Sequence, residues 1–288
     1  MTAFVASQSE ENRRGGWHRD WIEPDWPVPP GVRALVTTRS GGWSRGPFGA
    51  PGDAGGLNLG LGLGQGQAAD DPAIVRRNRD RVRQALPGMP LWLRQVHGTR
   101  VVDAGHFGDG AACVPPEADA VFATAEAVVC CVLVADCLPV LLAEAQGGGV
   151  AAAHAGWRGL AGGVIQNAVA ALRNGLGNPH ARLLAYLGPA IGPEHFVVGA
   201  EVLGEMLRHL PRAAEAFVPA GPAKFRADLF ALARQALEQA GVHEVFGGGI
   251  CTVSDPERFY SHRRDRITGR HAAFIWRASP EAGATSRR

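Results

Sequence analysis

The sequence predicts a single α+β domain rich in short strands. Three observations carry this. The 39 glycines fall in clusters (Gly41-Gly42, Gly55-Gly56, Gly147-Gly148-Gly149, Gly247-Gly248-Gly249) that mark loops between many short elements rather than the few connections of a helical bundle. Apolar runs of strand length alternate with helical stripes, but too irregularly for a doubly wound sheet. Across 288 residues there is no repeat of fixed period and no composition shift that would mark a linker, while 46% hydrophobic residues support a substantial core.

In chain order, residues 1–30 combine Trp17, Trp21 and Trp26 with Pro24, Pro27, Pro29 and Pro30, and are expected to form an extended arm packed by its tryptophans. Val32 to Thr38 is a strand candidate, followed by a glycine-rich stretch to Leu57-Asn58-Leu59-Gly60. Asp71-Pro72 opens a helix with an N-cap and a first-turn proline, and its stripe is Ile74, Val75, Val82, Ala85 and Leu86. Asn78 lies inside that stripe, so it is either satisfied structurally or, with Arg79, reaches a pocket. Strands are expected at 91–96, 100–103, 119–123, 128–134 and 149–154, then a helix from Leu160 to Arg173. A strand at 182–187, helices near 201–210 and 227–240, and strands at 242–246 and 271–276 complete the domain. The tail after Ala278 is small and polar.

A formal net charge of +2 with no basic block interleaved with aromatics argues against nucleic acid as a partner. Arg258, Arg263, Arg264, Arg266 and Arg270 concentrate near one another, a patch whose size suits a phosphate. No apolar run approaches the roughly 20 residues that span a bilayer, and no signal peptide is evident, so a cytoplasmic protein without a membrane partner is expected. The five cysteines are irregularly spaced and form no disulfide framework. Cys130 and Cys131, adjacent on one strand, face opposite sides of it.

Three places bear chemistry beside apolar β-structure: Gln95-Val96-His97-Gly98, Ala135-Asp136-Cys137-Leu138-Pro139 and His154-Ala155-Gly156-Trp157-Arg158-Gly159. Two imidazoles and a thiol suit a zinc ion with one open position. The separations, 40 residues from His97 to Cys137 and 17 from Cys137 to His154, are not those of a zinc finger. A Cys137 nucleophile with His154 as its base is the competing reading, since both need a thiolate near an imidazole. Of the other histidines, His18, His106, His180, His209, His243 and His271 are expected to face solvent, and His195 to be structural. His262, in Phe259-Tyr260-Ser261-His262-Arg263-Arg264-Asp265, combines an aromatic, a proton-transfer group and an anion clamp.

These three motifs and Phe259-Tyr260-Ser261-His262-Arg263-Arg264-Asp265, with Thr37-Thr38-Arg39-Ser40-Gly41-Gly42, Leu57-Asn58-Leu59-Gly60 and Gly188-Pro189-Ala190-Ile191-Gly192, resemble the YfiH-like family, also labelled laccase-domain, polyphenol oxidase or peptidoglycan editing factor. The match runs in order from about 31 to 277, leaving 1–30 as arm and 278–288 as tail. The resemblance implies an αββα sandwich with mixed β-sheets, shared with deamidating toxins. It also implies a cytoplasmic zinc enzyme on purine nucleosides: phosphorolysis of adenosine, inosine and methylthioadenosine, and deamination of adenosine. Its metal ligands fall on His97, Cys137 and His154. Many members carry cysteines after Gly-Pro-Ala-Ile-Gly-Pro, where this chain has Glu194-His195. The oxidase label fits poorly, because none of the ten histidines forms a His-x-His pair, although copper can enter a three-ligand site.

For deamination the usual His-x-Glu…Pro-Cys-x-x-Cys signature is absent, so the proton-transfer group is sought among Asp136, His262 and Asp265. For phosphorolysis, Arg158 at a helix start and Arg263 are the phosphate candidates, with Asn58, Asn78 and Arg79 weaker candidates for ribose or base. The expected partners are thus a small nucleoside and phosphate. The competing substrate is an amide bond in a muramyl-peptide cell-wall precursor, and a metal-binding accessory protein is the non-enzymatic alternative.

Overall fold

Cys130 and Cys131 do point opposite ways, and they separate two apolar layers of the molecule. The computed structural model describes residues 17–279 except 53, 63–68 and 108–113. Arm residues 1–16, Cys113 and the tail from 280 lie outside the described residues. The elements are β1 (Val32–Val36), β2 (Ser40–Ser44), α1 (Pro72–Arg83), β3 (Pro90–Leu91), β4 (Val101–Asp103), β5 (Ala120–Ala123), β6 (Val129–Val134), β7 (Leu138–Glu144) and β8 (Val150–Ala155). They continue with α2 (Trp157–Gly162), α3 (Val164–Gly175), β9 (Leu183–Leu187), β10 (Val197–Gly199), α4 (Ala200–Leu207), β11 (Phe217–Pro219), β12 (Lys224–Ala227), α5 (Leu229–Gln239), β13 (Glu244–Gly247), α6 (His262–Asp265) and β14 (His271–Arg277).

Alternation along the central strands builds four layers. A six-stranded mixed sheet, β13-β9-β7-β8-β5-β4, turns Leu138, Val140, Ala151, Ala153 and Ala155 toward α2, α3, α4 and α5. Its other face, with Leu141, Ala143, Val150 and Ala152, meets Cys130, Val132 and Ile275 of a four-stranded sheet, β1-β14-β6-β3. The far side of that second sheet presents Cys131, Leu35 and Phe274 to Val82 of α1 and to Trp21 of the arm. Helices, sheet, sheet, helix and arm make an αββα sandwich. A small sheet, β10-β12-β11, packs with the helices on the outer face.

Several expectations change in detail. The strand expected over 91–96 stops at Leu91, because the side chain of Gln95 takes over the pairing: it donates to Leu133 O and accepts from Leu133 N, each at 2.8 Å. The helix expected over 160–173 starts earlier, at Trp157, and is two helices, broken at Gly163 in the left-handed region (φ 94°). The helix expected from Asp71-Pro72 is there, its Asp71 cap accepting from Ala73 N at 2.8 Å and its stripe burying Val75 and Val82, but it ends at Arg83, so Ala85 and Leu86 of the expected stripe lie just past it. Two histidines expected at the surface are not there: His271 is fully buried and the His18 side chain is only 17% exposed.

Candidate metal centre

His154 lies on β8 on the same side as Val150 and Ala152, the side that faces the second sheet. It pairs with Pro139 across the ladder, one residue past the start of β7, so Cys137 arrives beside it from the turn before β7. His97 comes from the loop after Gln95. The three ligand atoms lie within 4.8 Å of one another, with Cys137 Sγ 3.7 Å from His97 Nε2.

Two of the approaches need unusual backbone. His97 has φ 60° and Asp136 φ 85°, left-handed conformations that L-residues seldom adopt and that need support from their surroundings. A glycine makes the convergence possible. A Cβ on Gly156 would stand 2.9 Å from both Cys137 Sγ and His97 Cδ2, so only glycine lets the first turn of α2 approach this closely.

Behind the three candidate donors stands Asp119, fully buried just ahead of β5. Its Oδ1 accepts from His97 N at 2.9 Å and meets His154 Nδ1 at 2.8 Å; its Oδ2 accepts from Val96 N at 3.1 Å and Gly98 N at 2.7 Å. One carboxylate thus fixes the His97 loop and, through Nδ1, directs His154 Nε2 toward the site. Ligating histidines are held in this way by carboxylates. Sequence reasoning passed over Asp119; the available signal was an acidic residue abutting an apolar strand, where burial demands partners.

The charges are coupled. Burial pushes the Cys137 thiol up, but the charge of His154 and hydrogen bonds from His154 and His97 outweigh it and bring the thiol down to about 6. Burial pulls His154 down, yet the Cys137 thiolate and Asp119 carry it up to about 9. Asp119 itself is opposed by burial but lowered by His154 and its backbone donors. A thiolate facing two imidazoles is also a donor set for a cation. Bond lengths of about 2.0–2.3 Å in tetrahedral geometry separate neighbouring donors by roughly 3.3–3.6 Å; Cys137 Sγ and His97 Nε2 stand 3.7 Å apart, and all three donors lie within 4.8 Å of one another. The residues fit a single ion with one coordination position left over.

The remaining predicted residues divide. Asp136 is beside the centre, but both its oxygens are engaged, Oδ1 by Thr252 Oγ1 and Oδ2 by Arg263 N, each at 2.6 Å. That bond brings the start of α6, with His262 exposed and its Nδ1 2.9 Å from Arg266 O, to the same rim. The Arg263 guanidinium instead reaches back to His195 O and Val197 O. Arg158 is exposed on the first turn of α2 over the Trp157 ring. Asp265 pairs with Arg264.

Asn58 and Asn78 are buried scaffold. Asn78 donates to Ser44 Oγ, Gly56 O and Asn58 O and accepts from Trp43 N, while Asn58 bonds Gly60, Asp70 and Arg270 N. Arg79 is fixed on Leu59 O and stacked on Trp92. His195 meets Ser254 Oγ at 2.9 Å while remaining exposed.

Comparison with known proteins matches the same span. Residues 33–278 fit the family model described as multi-copper polyphenol oxidoreductase laccase. The chain is 47% identical over 257 residues to purine nucleoside phosphorylase PA4543 of Pseudomonas aeruginosa, covering 89% of this chain and 98% of that one. It is 44% identical over 257 residues to purine nucleoside phosphorylase YfiH of Escherichia coli, covering 88% and 98%. Among solved structures, Neisseria meningitidis protein NMB0706 superposes with a TM-score of 0.81 at 44% identity, over 91% of this chain and all of that one. YlmD from Geobacillus stearothermophilus gives 0.80 at 31% identity, over 91% and 97%. With the sandwich, the motif order and the His-Cys-His group all in agreement, the chain belongs to the YfiH-like, laccase-labelled family.

Proposed function

We propose that this chain is a zinc-dependent purine nucleoside phosphorylase that also deaminates adenosine. The observation that carries the reading is the convergence of His97, Cys137 and His154 at one end of the sandwich, backed by Asp119. The names of near full-length relatives support the substrate class. In phosphorolysis a phosphate oxygen bonds to C1′ of the ribose, the bond from C1′ to the purine nitrogen breaks, and the purine leaves with that electron pair and gains a proton. Adenosine, inosine and methylthioadenosine share that bond. In deamination water adds at C6 and ammonia leaves.

Bound zinc supplies Lewis-acid polarisation and acidifies water. The chain's own groups do the rest. Asp119 holds His154 and the His97 loop in fixed orientation; Asp136 holds the Cys137 turn against Thr252 and α6. His262, anchored through Nδ1 on Arg266 O, keeps Nε2 to carry a proton to the departing group. Arg158 offers a rim charge to phosphate. The laccase description needs several coppers, and the described residues offer one three-ligand group. Copper remains an alternative occupant of that group, whose thiolate and imidazoles suit both metals.

A second reading rests on the lowered Cys137 thiol: a thiolate beside His154 is a nucleophile suited to an amide bond, such as that of a muramyl-peptide precursor. The test is product analysis with zinc-loaded protein. Phosphate-dependent release of base is expected, with ribose 1-phosphate from adenosine or inosine and methylthioribose 1-phosphate from methylthioadenosine, and with no cleavage of a muramyl-peptide nucleotide. The opposite pattern overturns the assignment. The described cysteines are all free, which supports the cytoplasm as the working compartment. Among the described residues no helix is long and apolar enough to cross a membrane.

A further inference from the structure

The arginine-rich segment near α6 is not one patch. Arg258 pairs with Asp255, and Arg264 with Asp265 and the carbonyls of Thr252, Val253 and Phe259. The Arg263 guanidinium is held by backbone carbonyls. Arg270 is different. Its backbone is fixed on both sides, N donating to Asn58 Oδ1 at 2.9 Å and O accepting from Leu59 N at 3.0 Å. Its stem lies against Gly60, where a Cβ would come 2.8 Å from Arg270 Cγ. Its Nη1 donates to Thr268 O and Gly269 O at 3.1 and 2.9 Å.

What remains is the other edge of the guanidinium. Among the described residues, Nε and Nη2 have no acceptor and no carboxylate forms an ion pair with this half-buried charge. The Thr268 hydroxyl in the same turn is buried without a partner as well. His271 pairs with Val134 across the antiparallel β14–β6 ladder, so the chain just before β14, which carries Arg270, runs alongside Ala135, two residues ahead of Cys137. Burial lowers the Arg270 pKa, opposed by the charges of Cys137 and Asp136. A half-buried guanidinium whose Nε–Nη2 edge meets no acceptor leaves donors unsatisfied, and an anion on that edge would complete them. The paired Nε and Nη2 donors match two oxygens of a tetrahedral oxyanion, and the rigid stem removes most of the ordering cost.

We propose that Arg270 is a phosphate-binding residue of this site, receiving inorganic phosphate on its Nε–Nη2 edge beside the metal centre, with Arg158 adding only a rim charge. The proposal rests on the phosphorolytic reading above and deepens it. It also gives Asn58 a part: its amide holds Arg270 in place rather than meeting ribose.

The experiment compares zinc-loaded wild type with Arg270→Ala and Arg270→Gln in two assays, direct inorganic phosphate binding by calorimetry and steady-state turnover. Zinc content and circular dichroism establish that each variant is folded and loaded. The expected result is a roughly 10- to 100-fold weakening of phosphate binding and a similar rise in phosphate KM, the range for losing hydrogen bonds to a charged group. Nucleoside KM and phosphate-independent adenosine deamination should stay within a few-fold. Unchanged phosphate binding in folded, zinc-loaded Arg270→Gln overturns the proposal while leaving phosphorolysis standing. Loss of zinc in both variants also overturns it, since Arg270 would then hold the centre together rather than bind the anion. If wild type binds phosphate through Arg270 yet releases no base, the phosphorolytic reading fails and the anion site stands. If wild type neither binds phosphate nor turns over with it, both fall.

Discussion

Asp119 joins two histidines of the candidate metal group that are 57 residues apart in sequence, touching the His97 loop through three backbone N–H groups and His154 through Nδ1. An amide in its place would turn an NH2 group toward donors it cannot accept. Asp119→Asn is therefore expected to weaken zinc binding by roughly 10- to 100-fold, the usual cost of losing a carboxylate behind a ligating histidine. Competition titration with a chelator measures this; an unchanged affinity would show that the loop and ring hold themselves. The grouping of His97, Cys137 and His154 was legible in the sequence because each stands where an apolar run meets a glycine- or proline-bearing turn. Asp119 was not, because an acidic residue ahead of a strand looks the same whether it faces solvent or is buried beneath four donors.

Elements bring the site together through close approach. The first turn of α2 can pass the metal centre only because residue 156 is glycine. Gly156→Ala should drive Cys137 and His97 apart by some tenths of an ångström, lowering zinc occupancy sharply while global unfolding shifts little. Metal analysis beside a thermal melt reads both, and full zinc occupancy in the variant counts against a packing-limited site. Legibility at this scale followed local signals. Asp71-Pro72 marked α1 correctly, since cap and proline act within one turn. The break at Gly163 depends on a left-handed residue that a continuous apolar stripe conceals. Strands β10, β11 and β12, of three or four residues each, are too short for alternation to stand out.

Across the whole molecule, two sheets face to face bury His271 on β14 with neither ring nitrogen hydrogen-bonded among the described residues. Burial, then the charge of Arg270, pushes its pKa down to about 3. The folded chain therefore keeps this ring neutral where the unfolded chain takes up a proton near pH 6.5. The stability it contributes is complete above about 6.5 and is lost progressively as pH falls toward about 3, on the order of 4–5 kcal/mol over that window. His271→Met should flatten this part of the acid-unfolding profile; an identical slope in both proteins would place the acid sensitivity elsewhere. The sandwich itself was not readable from periodicity, which gives faces and not layers. It came from the motif set, and the two facing cysteines of β6 explain it afterwards. The claim that organises all of this is that one end of the sandwich closes three distant side chains around a single cation. Zinc stoichiometry of the purified, zinc-exposed protein tests it most directly, with His97→Ala, Cys137→Ala and His154→Ala alongside. The account predicts about one zinc per wild-type chain and a large loss in each folded variant; full zinc in any of the three, or none in wild type, contradicts it.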